Sequence, residues 1–571
     1  MGSELAAKNV SRRKFLKYIG AGAVVVAGAA AGAYYTTQPT PKPTTTSSLT
    51  ATSPVSTTVT PKGRIALNLA TSESLRTVDP AVCYGSGEVP LALNVYDTLF
   101  FPDFDKTGAE VPVPRLATDW TISPDKKVYT IQLRKGVKFH NGKELTADDV
   151  AFSIDRNLAI KQAFTWLWLG MVDIGSTKAK DRYTVEFNLK NPFSPFMASL
   201  VRLYVVNKDL LMENKRSGNY GEFGDYGQGW LNEGNDAGSG AYRLVKWERR
   251  VQAIMQRFDD HYRGWKEPNH VDDFIIREIL EPATLKTMMM KGEIDMDDGW
   301  YGKAFYKEVE GMSGVVVEKK TWTQLQIISF NNKRTPTDDV NVRRAISWAF
   351  DYQVPVTALD PGSIQARGII PKGSPGYDPT VFTYKQDLQK AKEELGKSKY
   401  SMAELGKMTL EYRCRPLETN IAPGLLLKDN LEKIGLRVEV IPTDWVKIVE
   451  SCAKPETTPH HLPWWNTIKT PDPDSFLSGW LTPASHGTFQ GMCWYDNPKV
   501  TQLVEDSKTE IDPEKRNAVV RKIQDQVIDD AVAILVANPN FAMTRNVRVQ
   551  GWTYHNCNGH YLEVYPITIP K

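Results

Sequence analysis

Residues 123–154 read SPDKKVYTIQLRKGVKFHNGKELTADDVAFSI, and this stretch gives the clearest indication of the fold class. In its first part the residues alternate, which places Tyr129, Ile131 and Leu133 on one face of a predicted strand. Asn141-Gly142 is a turn signal in the middle of the stretch. A strand and a turn that lead directly into a helix pattern indicate a mixed α/β protein rather than an all-helical one.

The last part of this stretch predicts a helix with a defined start. Thr146-Ala-Asp-Asp149 has the spacing of a capping box, in which the side chains at both ends bind each other's main-chain N–H groups. Val150, Ile154 and Leu158 follow at intervals of four, so they lie on one face of the helix.

Segments further along the chain extend the same pattern. Asp339 is a candidate cap for a second amphipathic helix, and Asp512-Pro513 is typical of the start of a third. Residues 428–434 look helical and run through Gly435 into a predicted strand at 436–441. The body is therefore predicted to be α/β or α+β, and no internal repeat is visible.

Length and charge exclude several classes of protein. The chain has 571 residues, 41% of them hydrophobic and 24% charged, which is typical of a globular protein with several structural units. Residues 1–62 carry seven Lys/Arg and one Asp/Glu, so the other 509 residues carry 63 basic and 66 acidic side chains. Because this body has no basic stripe, we expect no nucleic-acid partner.

The N-terminus carries an export or anchoring signal. Residues 11–17, SRRKFLK, resemble a twin-arginine export signal, and the uncharged segment Tyr18–Tyr35 that follows is kept weakly hydrophobic by seven Ala and four Gly. Ala31-Gly32-Ala33 is a candidate cleavage site, whereas an uncleaved segment is just long enough to span a bilayer of ~30 Å. The alternative is a basic-flanked membrane anchor without twin-arginine routing. Residues 1–35 are thus predicted to be a signal or anchor, and both interpretations place the body outside the cytoplasm.

Residues 36–62 are predicted to be a stalk. Of the 26 residues from 36 to 61, 20 are Thr, Ser or Pro, so the segment has little to bury and is expected to stay extended and solvated. A spacer between an apolar segment and a large body favours a retained membrane tether. The composition resembles the stalks of archaeal surface proteins.

Motifs for catalysis or metal binding are missing from the sequence. There is no H-E-x-x-H, G-x-S-x-G or G-x-x-x-x-G-K-[ST] motif, so we expect no catalytic residue, no metal and no cofactor. An exported hydrolase or another cell-surface enzyme is the alternative. Some of the five cysteines are expected to pair outside the cell, and the odd number leaves at least one free or intermolecular. The sequence leaves the pairing pattern open for Cys83, Cys414, Cys452, Cys493 and Cys557.

Several blocks carry a family resemblance. They are Val95–Phe100, Leu116–Trp120, residues 123–154, Gly238–Arg243, Arg257–Tyr262, Gly292–Asp295, Phe330–Asn332, Asp339–Ala349 and Pro471–Leu477. In order and spacing they resemble the extracytoplasmic solute-binding proteins of the peptide/nickel class (family 5) of ABC importers. Within that class the chain resembles the oligopeptide- and dipeptide-binding proteins.

The resemblance implies a three-lobed, periplasmic-binding-protein-like α/β fold. Two α/β lobes are hinged around a ligand cleft, and an extra lobe is inserted in the first. Carried onto this chain, lobe I comprises residues 64–105, 237–325 and 537–571, lobe II residues 106–236, and lobe III residues 326–536.

The resemblance also implies where the ligand binds. One wall is a loop after the first strand of lobe I, and the other is a strand and loop of lobe III; glycines in the first wall allow close approach of the backbone. The candidate ligand-binding residues are Tyr84, Gly85, Ser86, Gly87, Glu88, Trp300, Tyr301, Trp464, Trp465, Asn466, Lys469 and Asp472. Trp166 and Trp168 are further aromatic candidates.

One position departs from the peptide-binding members. Three residues before the Asp472-Pro-Asp474 block, those members carry an aspartate that pairs with the α-ammonium of the peptide, whereas this chain has Lys469. If the alignment slips, Asp472 or Asp474 takes that role. The many Trp and Tyr residues instead suit the apolar faces of sugars, so the ligand is predicted to be a peptide or an oligosaccharide.

The expected function follows from the resemblance. The chain is predicted to be a monomeric receptor, tethered to the cell surface through its N-terminal segment. It captures a small solute by lobe closure and delivers it to ABC permease and ATPase subunits.

Overall fold

The computed structural model describes residues 63–106, 108–321, 323–467, 470–555 and 562–570. The predicted signal segment and stalk, residues 1–62, lie outside these ranges. Within them, no helix is both long enough and apolar enough to cross a membrane.

The described residues form four β-sheets. The strands, in chain order, are β1 Ala66–Thr71, β2 Phe100–Phe104, β3 Glu110–Pro114, β4 Ala117–Ile122, β5 Val128–Leu133, β6 Lys178–Asp181, β7 Thr184–Asn188, β8 Tyr242–Glu248, β9 Gln252–Arg257, β10 Asp273–Glu278, β11 Met296–Asp297, β12 Val315–Thr321, β13 Gln324–Phe330, β14 Ile364–Gln365, β15 Thr409–Cys414, β16 Arg437–Pro442, β17 His461–Thr467, β18 Ala533–Asn538 and β19 Asn540–Asn546.

Helices connect and cover these sheets. In the described chain the α-helices span Glu88–Val95, Ala147–Ile160, Phe196–Ser199, Lys208–Glu213, Gln228–Leu231, Pro282–Met290, Lys303–Val309, Val340–Ala349, Leu388–Leu395, Met402–Leu405, Glu418–Glu432, Trp445–Ser451, Asp474–Leu481, Pro498–Thr509 and Pro513–Asp529. Single turns of 3-10 helix span Thr165–Leu167, Leu200–Arg202, Gly221–Phe223 and Pro483–Ser485, and a π-helical turn spans Pro355–Leu359.

The predicted helix starts are confirmed by their caps. The Asp149 carboxylate accepts hydrogen bonds of 2.9 Å from both the N–H and the hydroxyl of Thr146. Asp339 and Asp512 accept main-chain N–H groups in the first turns of their helices. The predicted helix, glycine and strand step is also present, because Gly435 adopts a φ of +86° between Glu418–Glu432 and β16.

The seven-stranded sheet is the centre of lobe I. Its order is β12-β19-β11-β1-β10-β9-β8. β1 pairs in parallel with β10 on one side and with β11 on the other, while the remaining pairs are antiparallel. Between β1 and β8 the chain leaves this sheet, and this segment includes residues 106–236, which we propose as lobe II.

Lobe II is built on the antiparallel sheet β4-β5-β7-β6. The predicted strand face of Tyr129, Ile131 and Leu133 is buried, and it packs in one core with the helix Ala147–Ile160. Trp168 belongs to this core and donates its Nε1–H to Ser199 Oγ at 2.9 Å, so its prediction as a ligand-stacking candidate is wrong.

Lobe II is fastened to lobe I by a buried ion pair. Arg156 and Asp79 form two hydrogen bonds of 2.8 and 2.6 Å, and their side chains are 1% and 0% exposed. Such a pair holds two elements in one geometry, since separating the charges inside the protein is costly.

Lobe III is built on the six-stranded sheet β14-β18-β13-β17-β15-β16. All seven residues of β13 are buried, and the strand pairs antiparallel with β17 and β18. β15 pairs in parallel with β16.

Two chain crossings connect lobes I and III. One leads from β12 to β13 and the other from β18 to β19, and Thr321 lies opposite Asn540 where they meet. Asn538 Nδ2 donates to the Gln324 carbonyl at 3.0 Å, which ties the crossings together. Two short segments of this kind are what a hinge requires, and we propose that the boundaries between lobes I and III lie at or beside them.

The cysteines of the described chain are not paired. Cys83, Cys414, Cys452 and Cys493 are free and buried, so the expectation that some of them form disulfides is wrong for these four, while Cys557 lies outside the described residues.

Candidate functional site

The sheet topology brings the carboxyl ends of several strands to the two crossings. β19 leaves a crossing at Asn540 and runs antiparallel to β11, so β11 and its parallel partners β1 and β10 end towards the crossings. β13 starts at the other crossing, so its antiparallel neighbour β17 also ends there, as do β15 and β16, which run parallel to β17. Ligands of α/β proteins bind outside the carboxyl ends of strands. The candidate site is therefore the cleft between these two sheet edges.

Asp298 organises the lobe I wall of this cleft. Its Oδ2 accepts the Thr71 hydroxyl at 2.9 Å, the Ser72 N–H at 2.8 Å and the Ser86 hydroxyl at 2.6 Å. Its Oδ1 accepts the Trp300 N–H at 3.2 Å. Burial raises the pKa of Asp298, and these donors act in the opposite direction. One carboxylate thus joins the end of β1, the predicted glycine loop and the turn after β11.

Asp297 holds the same turn from the other side. Its Oδ1 accepts the Gly299 N–H at 2.6 Å and the Tyr306 hydroxyl at 2.8 Å, and its Oδ2 accepts the Thr544 N–H at 2.6 Å. Burial raises the pKa of Asp297 to about 7, and the neighbouring charge of Asp298 adds to the shift. The two carboxylates stay buried behind the wall, so their role is to shape it.

The predicted glycine loop is a rigid part of the wall. Glu88 Oε2 accepts the N–H groups of Tyr84 and Gly85 at 3.1 and 3.2 Å, and Glu88 also pairs with Arg76. A Cβ atom on Gly87 would lie 2.8 Å from side-chain atoms of β1 and the following loop, so close packing requires glycine at this position. The side chains of Ser86 and Glu88 are buried and bind within the protein.

Aromatic rings stand at the surface of the lobe I wall. Tyr84 is 41% exposed, with its ring 5.1 Å from that of Phe164 in lobe II. Trp300 is 40% exposed, whereas Tyr301 is buried and donates its hydroxyl to the Ile279 carbonyl at 2.6 Å. Tyr84 and Trp300, but not Tyr301, therefore have flat apolar surface that a ligand can contact.

The lobe III wall contains a strand with an open edge. β17 pairs with β13 along its whole length, but within the described chain its pairing with β15 is limited to His461 opposite Tyr412. Beyond that point the two strands separate towards the cleft. Pro463, which has no N–H, lies in this part of β17, as expected at a strand edge.

An aromatic cluster lies beside this open edge. The Phe489 ring is 4.6 Å from Trp445 and 5.8 Å from Trp464, and Trp464 also lies 6.4 Å from Trp480. Trp445 is 45% exposed and follows the carboxyl end of β16. Trp464 and Trp465 are half-buried.

The loop after β17 is held by an ion pair. Both oxygens of Asp472 bind the guanidinium of Arg516, with one bond of 2.9 Å, and both side chains are largely buried. Asp472 is thus neutralised inside the protein. Asn466 lies opposite Leu325 in the ladder, and Lys469 lies outside the described residues.

The structure thus separates the predicted site residues into two groups. Tyr84 and Trp300 are exposed and Trp464 and Trp465 are half-buried, whereas Gly85, Ser86, Gly87, Glu88, Tyr301 and Asp472 are buried. Sequence reasoning missed Asp298, Trp445 and Arg516. The signal for the first two was available, because each follows a strand whose carboxyl end faces the crossings. Arg516 had no such signal, since it is distant in sequence from the loop that it holds.

Metal binding has no support in the described part of the chain. No group of three or more His, Cys, Asp or Glu side chains there is arranged to hold a metal ion.

Comparison with known proteins shows the family of the chain. Residues 111–488 match the family described as "Bacterial extracellular solute-binding proteins, family 5 Middle". The chain is 28% identical over 514 residues to the probable D,D-dipeptide-binding periplasmic protein DdpA of Escherichia coli, which covers 88% of this chain and 93% of the relative.

Solved structures share the fold. The ABC transporter substrate-binding protein CtaP of Listeria monocytogenes has a TM-score of 0.75 at 21% identity, covering 89% of this chain and 99% of that one. The periplasmic binding protein DppA of Helicobacter pylori, solved with the peptide STSA, has a TM-score of 0.68 at 23% identity, with coverage of 89% and 99%.

These findings confirm the predicted lobed α/β fold and the expectation of a binding protein, since the relatives are substrate-binding proteins of transporters rather than enzymes. The chain belongs to family 5 of the extracellular solute-binding proteins, the peptide/nickel class of ABC importer receptors.

Proposed function

We propose that this protein captures a short peptide in the cleft and delivers it to the permease of an ABC importer. The observation that carries the proposal is the open edge of β17. This edge lies at the two crossings, and the lobe I wall organised by Asp298 lies there too. The names of the relatives support the same ligand class, since DdpA is named for D,D-dipeptides and DppA was solved with a tetrapeptide.

An open strand edge suits a peptide for a general reason. It presents main-chain donors and acceptors to which an extended peptide adds as a further strand, whatever its side chains. Pro463 donates nothing, so the residue two places on, Trp465, is the first on that edge with an N–H to offer. The exposed rings of Trp300 and Trp445 then provide apolar surface for side chains.

We expect the amino end of the peptide to be bound differently than in other members of the family. Lys469 replaces the aspartate that meets a peptide ammonium in other members, and Asp472 is already paired with Arg516. A paired, buried carboxylate has little left to offer a ligand cation. We therefore expect peptides with an acetylated amine to bind about as well as free ones.

An oligosaccharide is the second candidate. The exposed faces of Tyr84, Trp300 and Trp445 favour it, because flat aromatic rings stack on the apolar faces of sugars.

Localisation and partners complete the proposal. The family is extracytoplasmic. We propose that residues 1–35 direct export or tether the chain, that residues 36–62 act as a stalk, and that the body works as a monomer with permease and ATPase subunits.

Thermal-shift screening of the purified body tests the ligand class. A ligand that binds the folded state raises the melting temperature by mass action, by an amount that grows with its concentration. We expect stabilisation by di- to tetrapeptides, including D-alanyl-D-alanine and Ser-Thr-Ser-Ala, and by their acetylated forms. Stabilisation by oligosaccharides alone would reject the peptide proposal, and loss of binding on acetylation would reject the interpretation of Lys469.

A pair of variants tests the strand-edge mode. Trp465→Pro removes both the ring and the N–H, whereas Trp465→Ala removes the ring only. We expect the proline variant to lose at least tenfold more peptide affinity than the alanine variant. Equal losses would show that the main chain of β17 takes no part in binding.

A further inference from the structure

Lobe II touches lobe III at one corner, formed by the end of the helix Pro498–Thr509 and Glu510. The Ser194 N–H donates to the Lys508 carbonyl at 2.5 Å. Lys126 Nζ reaches the Thr509 carbonyl at 3.4 Å and the Glu510 carboxylate at 3.9 Å. Ser194 and Lys126 belong to lobe II, so the insertion contacts both of the other lobes.

This contact supplies donors that the helix end needs. The last four carbonyls of an α-helix have no partner within the helix. Here the Ser507 carbonyl accepts Arg516 Nε at 2.8 Å, while the next two carbonyls accept the donors from lobe II. The partial negative charge of a helix C-terminus also favours the cations Lys126 and Arg516. Movement of lobe II away from the corner leaves two of these carbonyls to water.

Arg516 connects the same corner to the cleft. One side of its guanidinium binds the Ser507 carbonyl and the other holds both oxygens of Asp472 in the loop after β17. The corner is also close to the lobe II sheet, since the Tyr129 hydroxyl of β5 donates to the carbonyl of Phe193, the residue before Ser194, at 3.3 Å. The corner and the cleft loop are therefore two contacts of one side chain.

We propose that lobe II helps to position the ligand wall of lobe III. In this proposal Arg516 is a positioning residue, which couples the contact between lobe II and the Lys508–Glu510 corner to the cleft loop at Asp472. The contact stabilises the arrangement of lobes in which the cleft loop is held ready for a ligand. This rests on the proposed function only in taking the loop after β17 as a ligand wall.

Amide hydrogen exchange of the ligand-free protein tests this directly. The Ser194 N–H reports on the corner, and the N–H groups of Asp472 and Asp474, bonded at 2.7 and 2.8 Å, report on the cleft loop. We expect Lys126→Ala to speed exchange at all three amides by roughly three- to tenfold. Lys127→Ala removes the neighbouring charge, which has no ion pair among the described residues, and is expected to change none.

A double-mutant cycle isolates the role of Arg516. Arg516→Lys keeps the charge but cannot bind the Ser507 carbonyl and both oxygens of Asp472 at once. It is therefore expected to speed exchange at Asp472 and Asp474 while Ser194 stays protected. Adding Lys126→Ala to it should then change the cleft loop no further. Melting curves verify that each variant is folded, and Asp472→Asn breaks the same link if Arg516→Lys does not fold.

Two results overturn the inference. Unchanged exchange at Ser194 in Lys126→Ala means that the corner contact does not hold lobe II. Faster exchange at Ser194 with an unaffected cleft loop means that Arg516 transmits nothing. Neither result depends on any ligand, so failure here is distinguishable from failure of the proposed function.

Discussion

Replacing Asp298 by alanine removes the carboxylate that joins three segments of the lobe I wall. The Thr71 and Ser86 hydroxyls lie 3.2 Å apart and can bond to each other, but the N–H groups of Ser72 and Trp300 lose an acceptor. Unpaired buried donors and lost charge-assisted bonds each cost about 1–3 kcal/mol. The variant also relieves the protein of a buried charge, whose pKa burial raises, so part of that cost is recovered. We expect a net loss of about 2–4 kcal/mol in the free energy of unfolding.

Urea unfolding and ligand titration measure the two consequences separately. Asp298→Asn is expected to lose less stability than the alanine variant, because its amide oxygen still accepts hydrogen bonds. Asp260→Ala is the matched control, since Asp260 is 64% exposed and its pair with Lys138 is expected to contribute less than about 1 kcal/mol. We expect Asp298→Ala to weaken peptide binding at least tenfold as well. Stability and affinity as high as in the control variant would refute the role assigned to Asp298.

Three further predictions follow from buried charges and exposed rings. Burial opposes the charge of Glu563, but Arg115 and Arg263 lower its pKa to about 2, so Glu563→Gln should cost about 3 kcal/mol at pH 7. In urea unfolding this cost should be present above about pH 4.5 and vanish as the pH falls towards 2. Burial also opposes the charged ring of His140, but Asp236 and the Gly240 carbonyl bind both ring nitrogens and raise its pKa. The advantage of the wild type over His140→Gln should therefore be full below pH 6.5 and disappear as the pH rises through the raised pKa. Trp300→Ala should lose at least fivefold in peptide affinity by fluorescence titration with little change in melting temperature, because the ring is 40% exposed.

Each of these has a contradicting result. A Glu563→Gln cost that does not vary with pH, or a His140→Gln cost that grows above neutral pH, would mean that these charges are not linked to folding as described. A large loss of stability in Trp300→Ala would place its ring in the core.

The local features that depend on neighbouring residues in sequence could be predicted. The cap at Thr146, the strand face of Tyr129 and the turn at Gly435 are each determined by a few adjacent side chains and by one periodicity. Such features can be predicted without knowledge of the rest of the fold.

Pairings between distant segments could not be predicted. Arg516 reaches Asp472 across 44 residues, and Asp298 reaches Ser86 across 212. No periodicity records such a pair, so Glu88 and Asp472 looked like ligand groups although Arg76 and Arg516 bind them. The prediction for Trp168 failed for a related reason, because the lobe II core that buries its ring is built from segments distant in sequence.

We expect lobes I and III to turn about the crossings between β12 and β13 and between β18 and β19, and to close on a peptide. Small-angle X-ray scattering of the purified body, titrated with the peptide that gives the largest thermal shift, measures this most directly. We expect a smaller radius of gyration at saturating peptide, reversed when the peptide is dialysed away intact. Identical scattering curves with and without bound peptide would contradict it.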